Sequence, residues 1–203
     1  MNQPAQKPRR RTQEERRETT RTALLEATVH CLGRDGYAGT SISSITQQAG
    51  VSRGALLHHY PTKNELIAAA ILYFYRQRLS RFADKLLGAD TESLSLEDRL
   101  RVLKEDFASW YDTALEIEVV MRTNREIADL EKEMTAVDND EMSRQYAKLF
   151  PEFADTKDTL ALVGIACALM RSLAGNEEGP NNENQFRVCA DMLRTYLAAS
   201  KDA

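Results

Sequence analysis

Between Thr40 and Lys63 the chain packs three helix starts and a turn into twenty-four residues, TSISSITQQAGVSRGALLHHYPTK. Thr40 or Ser41 can cap a helix over Ile42 to Ala49, because a hydroxyl accepts one of the backbone N–H groups that a helix start leaves unpaired. Gly50 breaks that helix, having no Cβ to resist a sharp turn. Ser52 caps a second, Arg53 to His59, and Pro61 stops it. Thr62 starts a third, from about Lys63 to Leu87, with Glu65 three residues on to complete a capping box. Two short helices about a tight turn make a helix-turn-helix, whose second helix can enter a DNA major groove.

The residue types divide into an inward and an outward set. Ile42, Ile45, Ala49, Val51 and Leu56 fall on the faces that must meet, and small Ala49 lets the helices approach. Ser52, Arg53, Ala55, His58 and His59 decorate the outside of the second helix. Arg53 suits the O6 and N7 edge of guanine, Ala55 a thymine methyl, and Gly54 a close backbone approach. Of the histidines, His58 is the better base contact and His59 the better candidate for packing. Thr40, Ser41 and Ser43, at a helix start with free N–H groups, suit phosphate contact, as does Lys63 at the next start.

Upstream, residues 1–12 read as a disordered basic arm with the run Arg9-Arg10-Arg11. A helix follows from Glu14 to Arg34, with Gly33 and Gly36 ending it. Beyond the loop at 88–93 the apolar periodicity stays helical, with helices near 95–112, 115–125, 127–149, 157–174 and 183–199. Pro151 separates the third and fourth of these, and the loop at 175–182 the last two. No alternating strand pattern occurs. The fold class is therefore all-α with about nine helices. The domains are the arm (1–12), a helix-turn-helix head (13–61) and a helical body (62–203).

Charge is unevenly shared. Residues 1–65 hold ten Lys/Arg against six Asp/Glu, a net +4, while the remainder carries −8. A basic head on an acidic body fits a head that faces nucleic acid. The cysteines, Cys31, Cys167 and Cys189, are far apart and form no CxxC pair, so neither a metal site nor a cofactor is expected. Catalysis is not expected either. Two of the three histidines lie in the second helix of the motif, and phosphate-cradling glycine loops are absent. No membrane-spanning run or secretory leader is read, which places the protein in the cytoplasm.

The motif resembles the DNA-binding domain of the TetR family of transcriptional regulators. The resemblance rests on Gly36-Tyr37, Thr40-Ser41-Ile42, Ile45, Ala49-Gly50-Val51-Ser52, Gly54, Leu56, His59-Tyr60, Lys63 and Glu65-Leu66, over roughly residues 14–75. Thr46 departs from a usual alanine. Leu57 stands where a tyrosine often contacts phosphate, so that contact should be missing. The resemblance implies that the body binds a small-molecule effector and forms a homodimer through the helices near 157–174 and 183–199. A two-fold pair of heads would read a palindromic operator, and effector binding would release a repressor from it. The alternative is a constitutive regulator or activator with no effector. Candidates for the effector pocket are Phe107, Trp110, Tyr111, Met121, Tyr146, Cys167 and Met170, large or polarizable residues on the central helices.

Overall fold

The computed structural model describes residues 12–87, 94–136, 145, 148–154 and 158–201, and every regular element among them is helical. These are α1 (Gln13–Gly39), α2 (Ile42–Ala49), α3 (Arg53–His59), α4 (Lys63–Leu87), α5 (Leu96–Ala108), α6 (Tyr111–Thr123), α7 (Arg125–Ala136), α8 (Pro151–Ala154), α9 (Thr159–Ala174) and α10 (Pro180–Lys201). Arg9 to Arg11 lie outside the described residues. Thr12, expected to end the arm, instead caps α1 in a capping box with Glu15. Ser41 pairs with Ser44 at the start of α2 in the same way, and Ser95 with Asp98 at the start of α5. Ser52 caps α3, and the Thr62 hydroxyl accepts the Glu65 N–H at the start of α4.

Several boundaries differ from the sequence expectation. Gly33 does not end α1; it stays helical. The break comes at Gly36, at φ 66°, after which the chain winds on to Gly39. Thr40 then closes the corner, its N–H and hydroxyl both donating to the Gly36 carbonyl. The helix expected over 95–112 stops at Ala108, because the Ser109 hydroxyl bonds back to the Asp106 carbonyl and Trp110 leaves helical geometry. No glycine or proline marks that break. Pro151 opens α8 instead of merely separating two helices; proline lacks only an N–H that a first helical residue does not need. For the same reason α10 begins at Pro180, not 183.

Two apolar cores share two helices. The head core holds Leu24, Leu25, Ala27 and Cys31 of α1, Ile45 of α2, Leu56 of α3, Tyr60, and Leu66 and Ala70 of α4. The body core takes Leu32 from the same α1, and Ile67, Ala68, Ile71, Phe74, Leu79, Phe82 and Leu86 from the same α4. Adjacent α4 positions thus face different cores, so the head cannot turn on the body without repacking both. Within the body, α4 packs on α5 and α7, and α9 packs on α5 and α10. Phe150 stacks between Phe82 and Phe153. Buried Arg99 of α5 donates to the Leu149 carbonyl and pairs with Glu152, tying in α8.

Candidate functional site

The start of α3 is open. Gly50, at φ 66° and ψ 30°, makes the left-handed turn that only glycine adopts freely, and Val51 begins the approach to α3. Leu56 is fully buried and anchors α3 to the head, which turns its opposite side outward. Arg53, Gly54, Leu57 and His58 are exposed there, Ala55 and His59 half-buried. The Arg53 guanidinium has no partner among the described residues. Gly54 is not required by the fold: its φ is ordinary, and an added Cβ would meet nothing closer than Ser52 Oγ at 4.0 Å. His59 leans toward α1, where burial and then the charges of His58, Arg17 and Arg21 hold its pKa below the usual histidine value.

The remaining candidates for DNA contact separate. Ser41, Ser43 and Ser52 are exposed around the starts of α2 and α3. Thr40 is not available, being 1% exposed with its hydroxyl bonded at 2.7 Å to the Gly36 carbonyl. Lys63 is half-buried over the Tyr37 ring, 4.2 Å from its centre, and donates to the Tyr37 carbonyl at 3.3 Å. Burial holds its pKa below the usual lysine value. That ammonium keeps further N–H donors, but its position is set by the fold.

A polar seam behind α3 was not anticipated. Asn124, between α6 and α7, donates to the Tyr37 hydroxyl at 2.9 Å, and that hydroxyl donates to Asn64 at 3.3 Å. Asn64 in turn donates to Glu126 at 2.7 Å, while the Asn124 side-chain Oδ1 accepts the Ile127 N–H and so caps α7. Alongside, α6 lies so close to α1 that a Cβ on Gly33 would come within 2.6 Å of Thr113 Oγ1, and one on Gly36 within 2.9 Å of Glu116. Gly33 therefore serves close approach between head and body, whereas Gly36 is needed for its positive φ. Nothing local in the sequence pairs residues so far apart.

In the body, a cavity of about 250 Å3 opens between α4, α5 and α9. Tyr75, Arg78, Leu79 and Phe82 line it from α4, Leu103, Asp106, Phe107 and Trp110 from α5 and its end, and Gly164, Cys167, Ala168 and Arg171 from α9. Of the expected pocket residues, Phe107, Trp110 and Cys167 face it. Burial pushes the Cys167 thiol up to about 11, so it is a protonated apolar surface. Met170 is wholly buried in the core, Met121 packs against that core, and Tyr111 abuts Gly175. Tyr146 lies outside the described residues. The contribution of α4 was missed because its apolar positions read only as core.

Residues 24–70 match the model of the bacterial regulatory proteins of the tetR family. Over this head the chain is similar to the TetR family of regulators. It is 34% identical over 124 residues to the HTH-type transcriptional regulator CymR of Pseudomonas putida, a stretch covering 60% of this chain and 59% of CymR. It is 32% identical over 120 residues to an uncharacterized HTH-type transcriptional regulator of Mycobacterium tuberculosis, covering 59% and 62% of the two. The match thus spans less than two thirds of these relatives. A solved TetR-family structure from Mesorhizobium loti superposes with a TM-score of 0.64 at 17% identity, covering 91% of this chain and 98% of that one, a likeness of fold. Among the described residues, no cluster of metal-ligating side chains occurs, and no helix is long and apolar enough to cross a membrane.

Proposed function

We propose that this protein is a TetR-family, sequence-specific DNA-binding transcriptional regulator, acting as a homodimeric repressor that a small molecule releases from a palindromic operator. The outer face of α3 carries the reading: Arg53, Gly54 and His58 are exposed, and among the described residues neither the Arg53 charge nor the missing Cβ of Gly54 meets a partner. Both suit a partner with base edges and a close backbone, which a major groove supplies. Ser41, Ser43 and Ser52 would position α3 through phosphates.

Support for a dimer lies on α9 and α10. Leu160 and Ile165 of the one, and Val188, Met192 and Tyr196 of the other, are all 43–65% exposed. So many large apolar side chains on two packed helices fit an isologous contact with a second copy. Two α3 helices would then enter successive major grooves about 34–36 Å apart. Support for release comes from α4, whose first turns belong to the head core and whose later turns line the cavity. A ligand binding one head spacing better than the other would shift the population toward it.

Selection of bound duplexes from a random DNA pool tests the reading. A palindromic winner is expected, with binding that falls steeply as salt rises. A winner with a single half-site, or no enrichment at all, would count against it.

A further inference from the structure

The wall of the α4–α5–α9 cavity is mostly aromatic and aliphatic, yet it carries charge. The Asp106 carboxylate, 2% exposed, is already matched: it receives Lys85 Nζ at 2.6 Å and the Trp110 indole N–H at 2.9 Å. Arg171 pairs with Glu118 at 3.0 Å. Arg78 differs. Its guanidinium lies over the rings of Phe74 and Trp110, 5.4 and 5.6 Å from their centres, and no carboxylate stands within salt-bridge distance of it among the described residues. Burial, and then nearby Arg81, holds its pKa below the usual arginine value, with Asp106 opposing. An arginine so placed stays charged, and its lost hydration is not replaced by any anion of the protein.

We infer that the cavity binds a small aromatic carboxylate, its ring against Phe82, Phe107 and Trp110 and its carboxylate on the Arg78 guanidinium. The inference rests on the ligand-responsive reading above. A planar guanidinium matches a carboxylate with two parallel hydrogen bonds. Aromatic walls offer a ring edge-to-face and offset contacts. The volume of about 250 Å3 is below the ~300–1,000 Å3 of drug-sized sites, which limits the ligand to one or two rings. A cation would meet two guanidinium groups and find the carboxylates beside them already paired.

Calorimetric titration of the whole protein with benzoate, phenylacetate and naphthoate, each beside its amide and its arylmethylammonium counterpart, tests this. At least one acid should bind about ten- to a hundredfold tighter than its amide, the range for hydrogen bonds to a charged group. Arg78→Gln should abolish that preference and leave the amide's affinity nearly unchanged, and Arg78→Lys should keep part of it. Arg171→Gln should weaken the acid less than Arg78→Gln does. Should Arg78→Gln fail to fold, the charge-retaining Arg78→Lys and the acid–amide comparison on wild type decide alone. Equal binding of acid and amide, preference for the ammonium, binding by none of the acids, or an acid indifferent to both Arg78 variants would overturn the inference. Operator affinity is read separately. An acid held by Arg78 that leaves operator binding unmoved upholds the inference and defeats the release reading; release by a neutral or cationic compound does the reverse.

Discussion

The outer face of α3 and the seam behind it are both polar, and they use that polarity in opposite ways. In the seam, the side chains of Tyr37, Asn64, Asn124 and Glu126 answer one another across three helix ends. On α3, Arg53 answers nothing among the described residues, and Gly54 leaves room that none of them fills. A polar group matched inside the protein holds the fold together, while one left unmatched at a rigid surface is free for a partner. The same contrast recurs along α4. Lys63 at its start is occupied with Tyr37, and Arg78, four turns on, faces a cavity whose carboxylate, Asp106, is already paired with Lys85.

The comparison breaks first where the two cores meet. Ile67→Ala should destabilise the protein by about 2–5 kcal/mol, since the side chain is fully buried in the shared layer. Denaturant unfolding followed by Trp110 fluorescence and by helical circular dichroism should still give one transition; separated midpoints would mean that head and body are not one cooperative unit. Arg53→Ala comes next. It should weaken selected operator DNA by about 1–3 kcal/mol relative to random duplex while leaving the melting temperature alone. A loss of stability in that variant would move Arg53 into the class of the seam.

Asn124→Ala should show the opposite pattern, costing about 1–2 kcal/mol of stability through the lost α7 cap and the lost bond to Tyr37. If its thermal unfolding matched wild type, the seam would be decoration. Gly54→Ala sharpens the contrast at a single Cβ. Alanine favours a helix over glycine by about 0.8–1.0 kcal/mol, so the variant should melt higher and yet bind its operator more weakly. The smallest effect concerns His59. Its folded pKa lies below the unfolded value of about 6.5, so the unfolded chain binds more protons between the two. Its contribution is therefore present above pH ~6.5 and is lost as pH falls through the folded pKa. Stability measured against pH should lose that component in His59→Gln.

Legibility followed distance along the chain. The caps at Ser52 and Thr62, a first cap at Thr40 or Ser41, the turn at Gly50 and the inward set around Ile45 and Leu56 are all readable, because each depends on residues within four or five positions. The end of α5 differs from the sequence expectation because a serine and a tryptophan, not a glycine or proline, break it. Gly33 has the local pattern of a helix end because the partner that requires it, Thr113, is remote in sequence. Thr40 has the sequence pattern of a surface hydroxyl, since burial under the α1 corner leaves no local trace. In the body, aromatic periodicity located Phe107 and Trp110 but could not tell a cavity wall from the core that holds Met170.

Local pattern alone specifies an all-α chain and a helix-turn-helix with Arg53 and His58 on its outer face. Helix period, capping hydroxyls and turn glycines act over a few residues, and their physics is complete within that span. It took the packed molecule to show that α4 serves two cores, that Lys63 rests on Tyr37, and that Arg78 faces an aromatic cavity whose carboxylate is paired elsewhere. Those outcomes depend on which remote side chain fills the space beside each group. Packing settles that through shape and desolvation, and neither is written in the spacing of residues along one chain.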